Sequence, residues 1–172
     1  FSALYDYYKA DKKPLIVSTF YTFINPLPIQ KLLTQKTISF GDSLDIQNFK
    51  KHLLYWGYTF VDIVQEKGEV SFRGDIIDIF SIHSDNPIRL SLFDVEVESI
   101  RKFDLDSQKS IKEELESFDY RPTLFGFNAE EYEKILHLCQ TNNNQTLFKD
   151  INSFGFWNLE HLALDFLTNK KV

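Results

Sequence analysis

The feature that most constrains the fold of this chain is a long central stretch in which apolar and polar residues alternate. A period of two is typical of β-strands that bury one face and expose the other. Only short turns separate the alternating segments, and such short connections join antiparallel neighbours. The middle of the chain is therefore predicted to be a meander of hairpins. The predicted strands are residues 58–65, 69–73, 75–82, 88–93 and 95–104, with a further strand near 111–118.

A helix is predicted directly before this meander. Ser43 or Asp45 can cap it, and apolar residues follow at helical spacing as far as Trp56. A strand is predicted at residues 36–40, and a second helix at residues 129–140. The expected fold class is α+β, with an antiparallel, hairpin-rich sheet domain and a helix packed on it.

The charge of the chain argues against a nucleic-acid-binding module, which is one alternative for its function. The net charge is −6 and the pI is about 5.2. Between Val61 and Ile100, nine acidic residues outnumber three basic ones, Lys67, Arg73 and Arg89. Proteins that bind phosphates along a nucleic acid usually present a basic face instead.

The remaining composition excludes several classes of site. The chain begins with Phe1 rather than Met, so we expect a piece of a longer protein. The single cysteine, Cys139, permits no internal disulfide and favours a reducing cytoplasm. No apolar stretch approaches the roughly 18–20 residues of a membrane span, so no membrane contact is expected.

No catalytic or cofactor-binding motif is evident. The glycines are isolated and no Gly-Lys-Ser/Thr occurs, so the phosphate-binding P-loop is absent. The four histidines lie far apart in the sequence, which argues against a metal site. Neighbouring carboxylates such as Asp75 and Asp78 could catalyse hydrolysis only if they faced each other across a cleft. A simpler explanation is that they are acidic side chains on exposed strand faces and turns. We expect no enzyme activity, cofactor or metal in this chain.

The more informative pattern is the segment IRLSLF, residues 88–93. Its aliphatic residues share one face of a strand, which leaves Arg89 and Phe93 together on the other face. The hairpin that precedes it can continue the ladder and bring Arg73, also on the outer face, near Phe93. Two arginines and an exposed Phe have the composition of an interface hot spot. The alternative is that both arginines pair with nearby acids and that Phe93 is covered.

These same residues carry a resemblance to a known family. Residues 69–80 (EVSFRGDIIDIF), 87–93 (PIRLSLF) and 98–110 (ESIRKFDLDSQKS) resemble the UvrA-interacting domain that is shared by the excision-repair helicase UvrB and the transcription-repair coupling factors. Residues 104–110 (DLDSQKS) are similar to the coupling factors rather than to UvrB. Residues 129–140 and 154–158 fit the coupling factors more weakly. The UvrA-binding region of UvrB itself remains the alternative.

The resemblance implies a domain plan and a partner. Residues 41–118 would be the UvrA-interacting domain, inserted in part of a degenerate, helicase-like α/β domain formed by residues 1–40 and 119–172. The parent would be an ATP-driven DNA translocase that displaces stalled RNA polymerase, uses ATP and Mg in its motor domains, contacts RNA polymerase and duplex DNA through other domains, and recruits UvrA. The family's UvrA contacts carry over to Arg73, Arg89 and Phe93.

The sequence departs from the family pattern at three positions. Ser71 stands where UvrB tends to have Arg, Ser91 where an acid is usual, and Leu92 where a second aromatic is usual. On the resemblance, we expect that Arg89→Ala abolishes UvrA binding without unfolding the chain.

Overall fold

A computed structural model describes residues 7–12, 15, 17, 34–123 and 127–141 of the chain. It divides the chain into two compact units, Gln35–Thr123 and a second unit formed by the two flanks. The predicted limits of 41–118 lie inside the first unit. The resemblance at residues 154–158 lies outside the described residues, and the assignment of the flanks to one helicase-like domain stays a prediction.

Eight strands and two helices follow one another along the described chain, apart from a short helical segment at residues 7–9. The strands are β1 (Lys36–Ser39), β2 (Thr59–Phe60), β3 (Glu69–Arg73), β4 (Ile76–Ile79), β5 (Ile88–Phe93), β6 (Glu96–Phe103), β7 (Ser110–Glu114) and β8 (Ser117–Tyr120). The helices are α1 (Ile46–Tyr55) and α2 (Ala129–Thr141).

Six of the strands form the main sheet, in the order β2-β3-β4-β5-β6-β7. From β3 to β7 every neighbouring pair is antiparallel, so the predicted meander is confirmed. The short turn between β3 and β4 uses Gly74, whose φ of 61° lies in the left-handed region. The turn between β5 and β6 places Asp94 in the same region, with a φ of 58°.

Helix α1 begins at a well-formed cap and packs on one face of this sheet. The Asp45 carboxylate accepts hydrogen bonds from the backbone N–H groups of Gln47 and Asn48, both at 3.0 Å. Phe49 and Leu53, one turn apart, are buried in the core. The α+β prediction of a sheet domain with a packed helix is therefore confirmed.

Two predicted strands differ in the structure. The segment predicted as a strand at 58–65 contributes only β2, which runs parallel to β3, because residues 61–68 form a loop instead of a tight hairpin. The Glu69 carboxylate holds this loop by accepting from the N–H groups of Gln65 at 2.7 Å and Glu66 at 2.8 Å. The strand predicted near 111–118 is divided between β7, in the main sheet, and β8, which pairs with β1.

The main sheet has apolar clusters on both faces. The larger one lies between the sheet and α1, and its fully buried members include Leu53, Ile77, Leu90 and Ile100. The opposite face, called the outer face below, carries the alternate residues of each strand. One end of it is covered by a smaller cluster whose buried members are Val64, Phe80 and Phe103.

Candidate interaction surface

The strand register brings the three predicted site residues to the outer face. Arg73 pairs with Ile76 of β4, and Ile76 pairs in turn with Ser91 of β5. Phe93 lies two residues beyond Ser91 on the same strand, and Arg89 lies two residues before it. Because side chains alternate along a strand, Arg89, Ser91 and Phe93 point to the same side.

A buried carboxylate joins the two arginines. Asp78 is paired with Arg89 in the register and is completely buried, with 0% exposure. Its Oδ1 accepts from Nε of Arg89 at 2.6 Å, and its Oδ2 accepts from Nη2 of Arg89 at 2.8 Å. Nη2 of Arg73 donates to the same Oδ2. The carboxylate is thus shared by two guanidinium groups, which satisfies the requirement that a buried charge be paired.

Every nitrogen of the Arg89 guanidinium group donates a hydrogen bond within the domain. Nη1 donates to the backbone oxygen of Gln108 at 3.0 Å and to Oγ of Ser110 at 3.3 Å. Its guanidinium carbon lies 4.7 Å from the centroid of the Phe103 ring, within the range of a cation–π contact. The hydrogen bonds to Asp78 raise the pKa of Arg89 above its ordinary value, so the group stays charged. Only 14% of its side chain is exposed.

Exposure increases along the outer face from the small cluster towards the β5–β6 turn. Arg73 has 43% of its side chain exposed, and Phe93 is 75% exposed. The alternative drawn from the sequence was that both arginines pair with acids and that Phe93 is covered. The first part is correct, since both arginines pair with Asp78. The second part is wrong within the described residues, because Phe93 is exposed. An exposed Phe and a partly exposed Arg on the same face of the sheet remain available to a partner.

The three departures from the family pattern do not all lie on this surface. Ser71 is buried on the outer face, and its hydroxyl donates to the backbone oxygen of Asp62 at 2.8 Å in the loop that follows β2. Leu92 is buried among the residues that face α1. Only Ser91 lies half-exposed between the arginines and Phe93.

Sequence reasoning missed two residues that shape this surface, Asp78 and Gln108. Asp78 stands between Ile77 and Ile79, and an acid inside an apolar strand is a signal of a buried, paired charge. The contact with Gln108 joins positions 19 residues apart through a loop, and nothing in the local pattern indicates it.

Other kinds of site find little support. Among the described residues no group of three or more His, Cys, Asp or Glu side chains could hold a metal ion. Asp78 is occupied by two arginines, which leaves it unsuited to act with Asp75 as a hydrolase pair. Within residues 34–123 and the other described segments, no helix is long and apolar enough to cross a membrane.

Comparison with known proteins decides the family. The model of the UvrB interaction domain matches residues 37–123, about half of the chain. The chain belongs to the UvrB interaction domain family. The matched range nearly coincides with the compact unit Gln35–Thr123, so the family's domain is the sheet and helix described above.

Relatives of the chain are transcription-repair-coupling factors, as the segment 104–110 predicted. The chain is 35% identical over 167 residues to one from Helicobacter pylori (strain ATCC 700392 / 26695), which covers 95% of the chain. It is 43% identical over 79 residues to one from Bacillus subtilis (strain 168), which covers 46% of the chain. The chain spans only 17% of the length of the first relative and the match spans 7% of the second.

Proposed function

We propose that this chain is the UvrA-docking part of a transcription-repair coupling factor, and that it recruits UvrA in transcription-coupled nucleotide excision repair. One observation carries the proposal. Phe93, 75% exposed, and Arg73, 43% exposed, lie on the same face of the sheet in a UvrB interaction domain. The residues proposed to form the UvrA site are Arg73, Arg89 and Phe93.

The chemistry of this surface suits a protein partner. Aromatic and arginine side chains dominate the binding energy of many interfaces. Two guanidinium groups share the one carboxylate of Asp78, so the cluster carries one positive charge on an otherwise acidic chain. We expect UvrA to present a carboxylate near Arg73 and an apolar pocket for Phe93, because opposite charges steer encounter and buried aromatic area supplies affinity.

The remaining activities belong to the whole protein from which this chain comes. We propose an ATP-driven DNA translocase that displaces stalled RNA polymerase and acts in the cytoplasm. ATP and Mg would bind in its motor domains, and RNA polymerase and duplex DNA would contact its other domains. The chain itself is proposed to contribute docking and no catalysis.

Binding of the 172-residue chain to UvrA of the same organism tests the proposal. Phe93→Ala and Arg73→Ala should each weaken the complex by about tenfold or more, as expected for hot-spot residues. Lys51→Ala is the matched control, since Lys51 is exposed on α1, which packs against the other face of the sheet. The proposal fails if the unsubstituted 172-residue chain does not bind UvrA. It also fails if both site variants bind UvrA as tightly as the unsubstituted chain does.

A gel-shift experiment separates this function from nucleic-acid binding. Short duplex and single-stranded DNA should not be retained by the chain at physiological salt, because the chain has a net charge of −6. Tight binding that weakens steeply with added salt would favour the nucleic-acid-binding module instead.

A further inference from the structure

A row of four charged residues crosses the outer face of the main sheet. The row consists of Asp78 on β4, Arg89 on β5, Arg101 on β6 and Glu114 on β7, each opposite the next in the strand register. The exposed fraction of the side chains rises along the row, from 0% and 14% in the pair of Asp78 and Arg89 to 40% and 57% in the pair of Arg101 and Glu114. The row therefore has a buried half and an exposed half.

Two arginines lie side by side in the middle of this row. Arg89 and Arg101 are directly opposite each other in an antiparallel pair, a position in which like charges destabilise a sheet. The Glu114 carboxylate offsets the second charge, since it accepts from Nε of Arg101 at 3.1 Å and also from Nη2. An exposed ion pair of this kind contributes little to stability, because water screens both charges. The stability of the fold therefore does not account for an arginine at position 101.

Arg101 lies within the area that a protein docked at the proposed UvrA site would cover. Ser91, between Arg73 and Phe93 on the outer face, pairs with Ser99 of β6, two residues before Arg101. Strands about 5 Å apart, with a rise of about 3.4 Å per residue, place the Cα atom of Arg101 about 8 Å from that of Ser91. The same spacings place the Cα atoms of Arg73 and Phe93 about 10 Å and about 7 Å from it. An interface of ordinary size covers about 800 Å² of each partner, and so is about 30 Å across.

We propose that Arg101 is a further contact residue of the UvrA site, and that it binds a carboxylate group of UvrA in place of Glu114. Both members of the ion pair are accessible to water, so the pair can open while Glu114 stays hydrated at the edge of the sheet. The inference rests on the proposed function and extends the site from β3 and β5 onto β6. It also defines the partner's chemistry, because an acidic group of UvrA must face β6, apart from the apolar pocket for Phe93.

Three variants at the ion pair distinguish a contact with UvrA from a structural role. Arg101→Ala removes the contact and should weaken binding of the 172-residue chain to UvrA by more than about threefold. Glu114→Gln breaks the same ion pair but leaves Arg101 free, so it should bind UvrA as tightly as the unsubstituted chain, or more tightly. Arg101→Gln/Glu114→Gln can keep a hydrogen bond between β6 and β7 without charge, and it should weaken binding as much as Arg101→Ala does.

Lys102→Ala is the matched control for these variants. Lys102 follows Arg101 on β6 and carries the same charge, but it pairs with Ile88, whose side chain is buried on the α1 side of the sheet. Because its side chain points away from the outer face, Lys102→Ala should bind UvrA as tightly as the unsubstituted chain. Circular dichroism and the melting temperature of each variant establish that it is folded before binding is compared.

The inference is wrong if Arg101→Ala binds UvrA as tightly as Lys102→Ala while Arg73→Ala and Phe93→Ala bind more weakly. It is equally wrong if Glu114→Gln weakens binding as much as Arg101→Ala, or if the double variant keeps full affinity, since the tie between β6 and β7 would then explain the loss. The proposed function fails by a different result, in which Arg73→Ala and Phe93→Ala both bind UvrA as tightly as the unsubstituted chain.

Discussion

Replacement of Gly68 by alanine should destabilise the domain for two separable reasons. Gly68 has a φ of +89°, a backbone conformation that residues other than glycine rarely adopt. A Cβ at this position would lie 3.1 Å from Cγ2 of Thr123, closer than an ordinary van der Waals contact. The residue therefore combines a backbone requirement with a steric one, at the point where the loop after β2 enters β3.

The two contributions have different expected magnitudes. The left-handed backbone should cost about 1–2 kcal/mol for any L-residue. The crowded methyl groups should add about 1 kcal/mol, at the low end for overpacking, because a shift of a few tenths of an ångström relieves the contact. We thus expect Gly68→Ala to lower the free energy of unfolding by about 2–3 kcal/mol.

A double-mutant cycle separates them. Thr123→Ser removes Cγ2 and keeps the hydroxyl, which lies 3.0 Å from the backbone oxygen of Trp56 and 2.7 Å from that of Gly57. In the Thr123→Ser background, Gly68→Ala should lower the free energy of unfolding by the backbone contribution alone. The coupling energy between the two substitutions should therefore be about 1 kcal/mol.

Urea unfolding of the 172-residue chain, followed by tryptophan fluorescence, measures all four proteins. The reasoning is refuted if Gly68→Ala changes the free energy of unfolding by less than about 0.5 kcal/mol, against the sum expected for strain and crowding. It is also refuted if Thr123→Ser restores full stability to Gly68→Ala, since the backbone conformation would then contribute nothing.

Three further predictions concern pH, a turn and an ion pair. Burial, and then the charge of Lys36, lower the pKa of His52 from 6.5 to about 4, so the folded state favours the neutral ring; stability should be complete above pH 6.5 and fall as the pH drops towards 4, and urea midpoints across this range should vary less in His52→Phe. Asp94→Gly should raise the free energy of unfolding by about 0.5–1 kcal/mol, because it relieves a φ of 58°, whereas a gain in Asp94→Ala would contradict this cause. Arg101→Ala, which breaks an exposed ion pair with β7, should lower it by less than about 1 kcal/mol, against about 3–5 kcal/mol for Arg89→Ala; equal losses in the two variants would show that burial of the partner is unimportant.

Sequence alone predicted the parts of the fold that depend on neighbouring residues. The bounds of β3 (Glu69–Arg73) and β5 (Ile88–Phe93) agree with the predicted strands, because alternation over five or six residues is a local property. The cap of α1 at Asp45 was predicted as one of two choices for the same reason. The common outer face of Arg73, Arg89 and Phe93 followed from alternation and one hairpin.

The parts that sequence could not predict depend on contacts between distant segments. The loop after β2 is held by hydrogen bonds from Ser71 and from Gln108, and the bond from Gln108 spans 44 residues. No local periodicity of the sequence indicates this loop. Alternation places Arg89 on the outer face but does not show that loops cover that end of the face. For this reason the sequence predicted which side Arg89 faces and not how deeply it is buried.

The pairing of β1 with β8 has a consequence for how this domain can be moved between proteins. Lys36 lies opposite Tyr120, and Arg121 donates to the side-chain oxygen of Gln35 at 2.9 Å, so the chain enters and leaves the unit through adjacent antiparallel strands. Adjacent strands are about 5 Å apart. A host protein could therefore accept the whole unit in a single surface loop without separating its own two ends. In this sense the domain can be transferred between host proteins as one unit, with little effect on how the host folds.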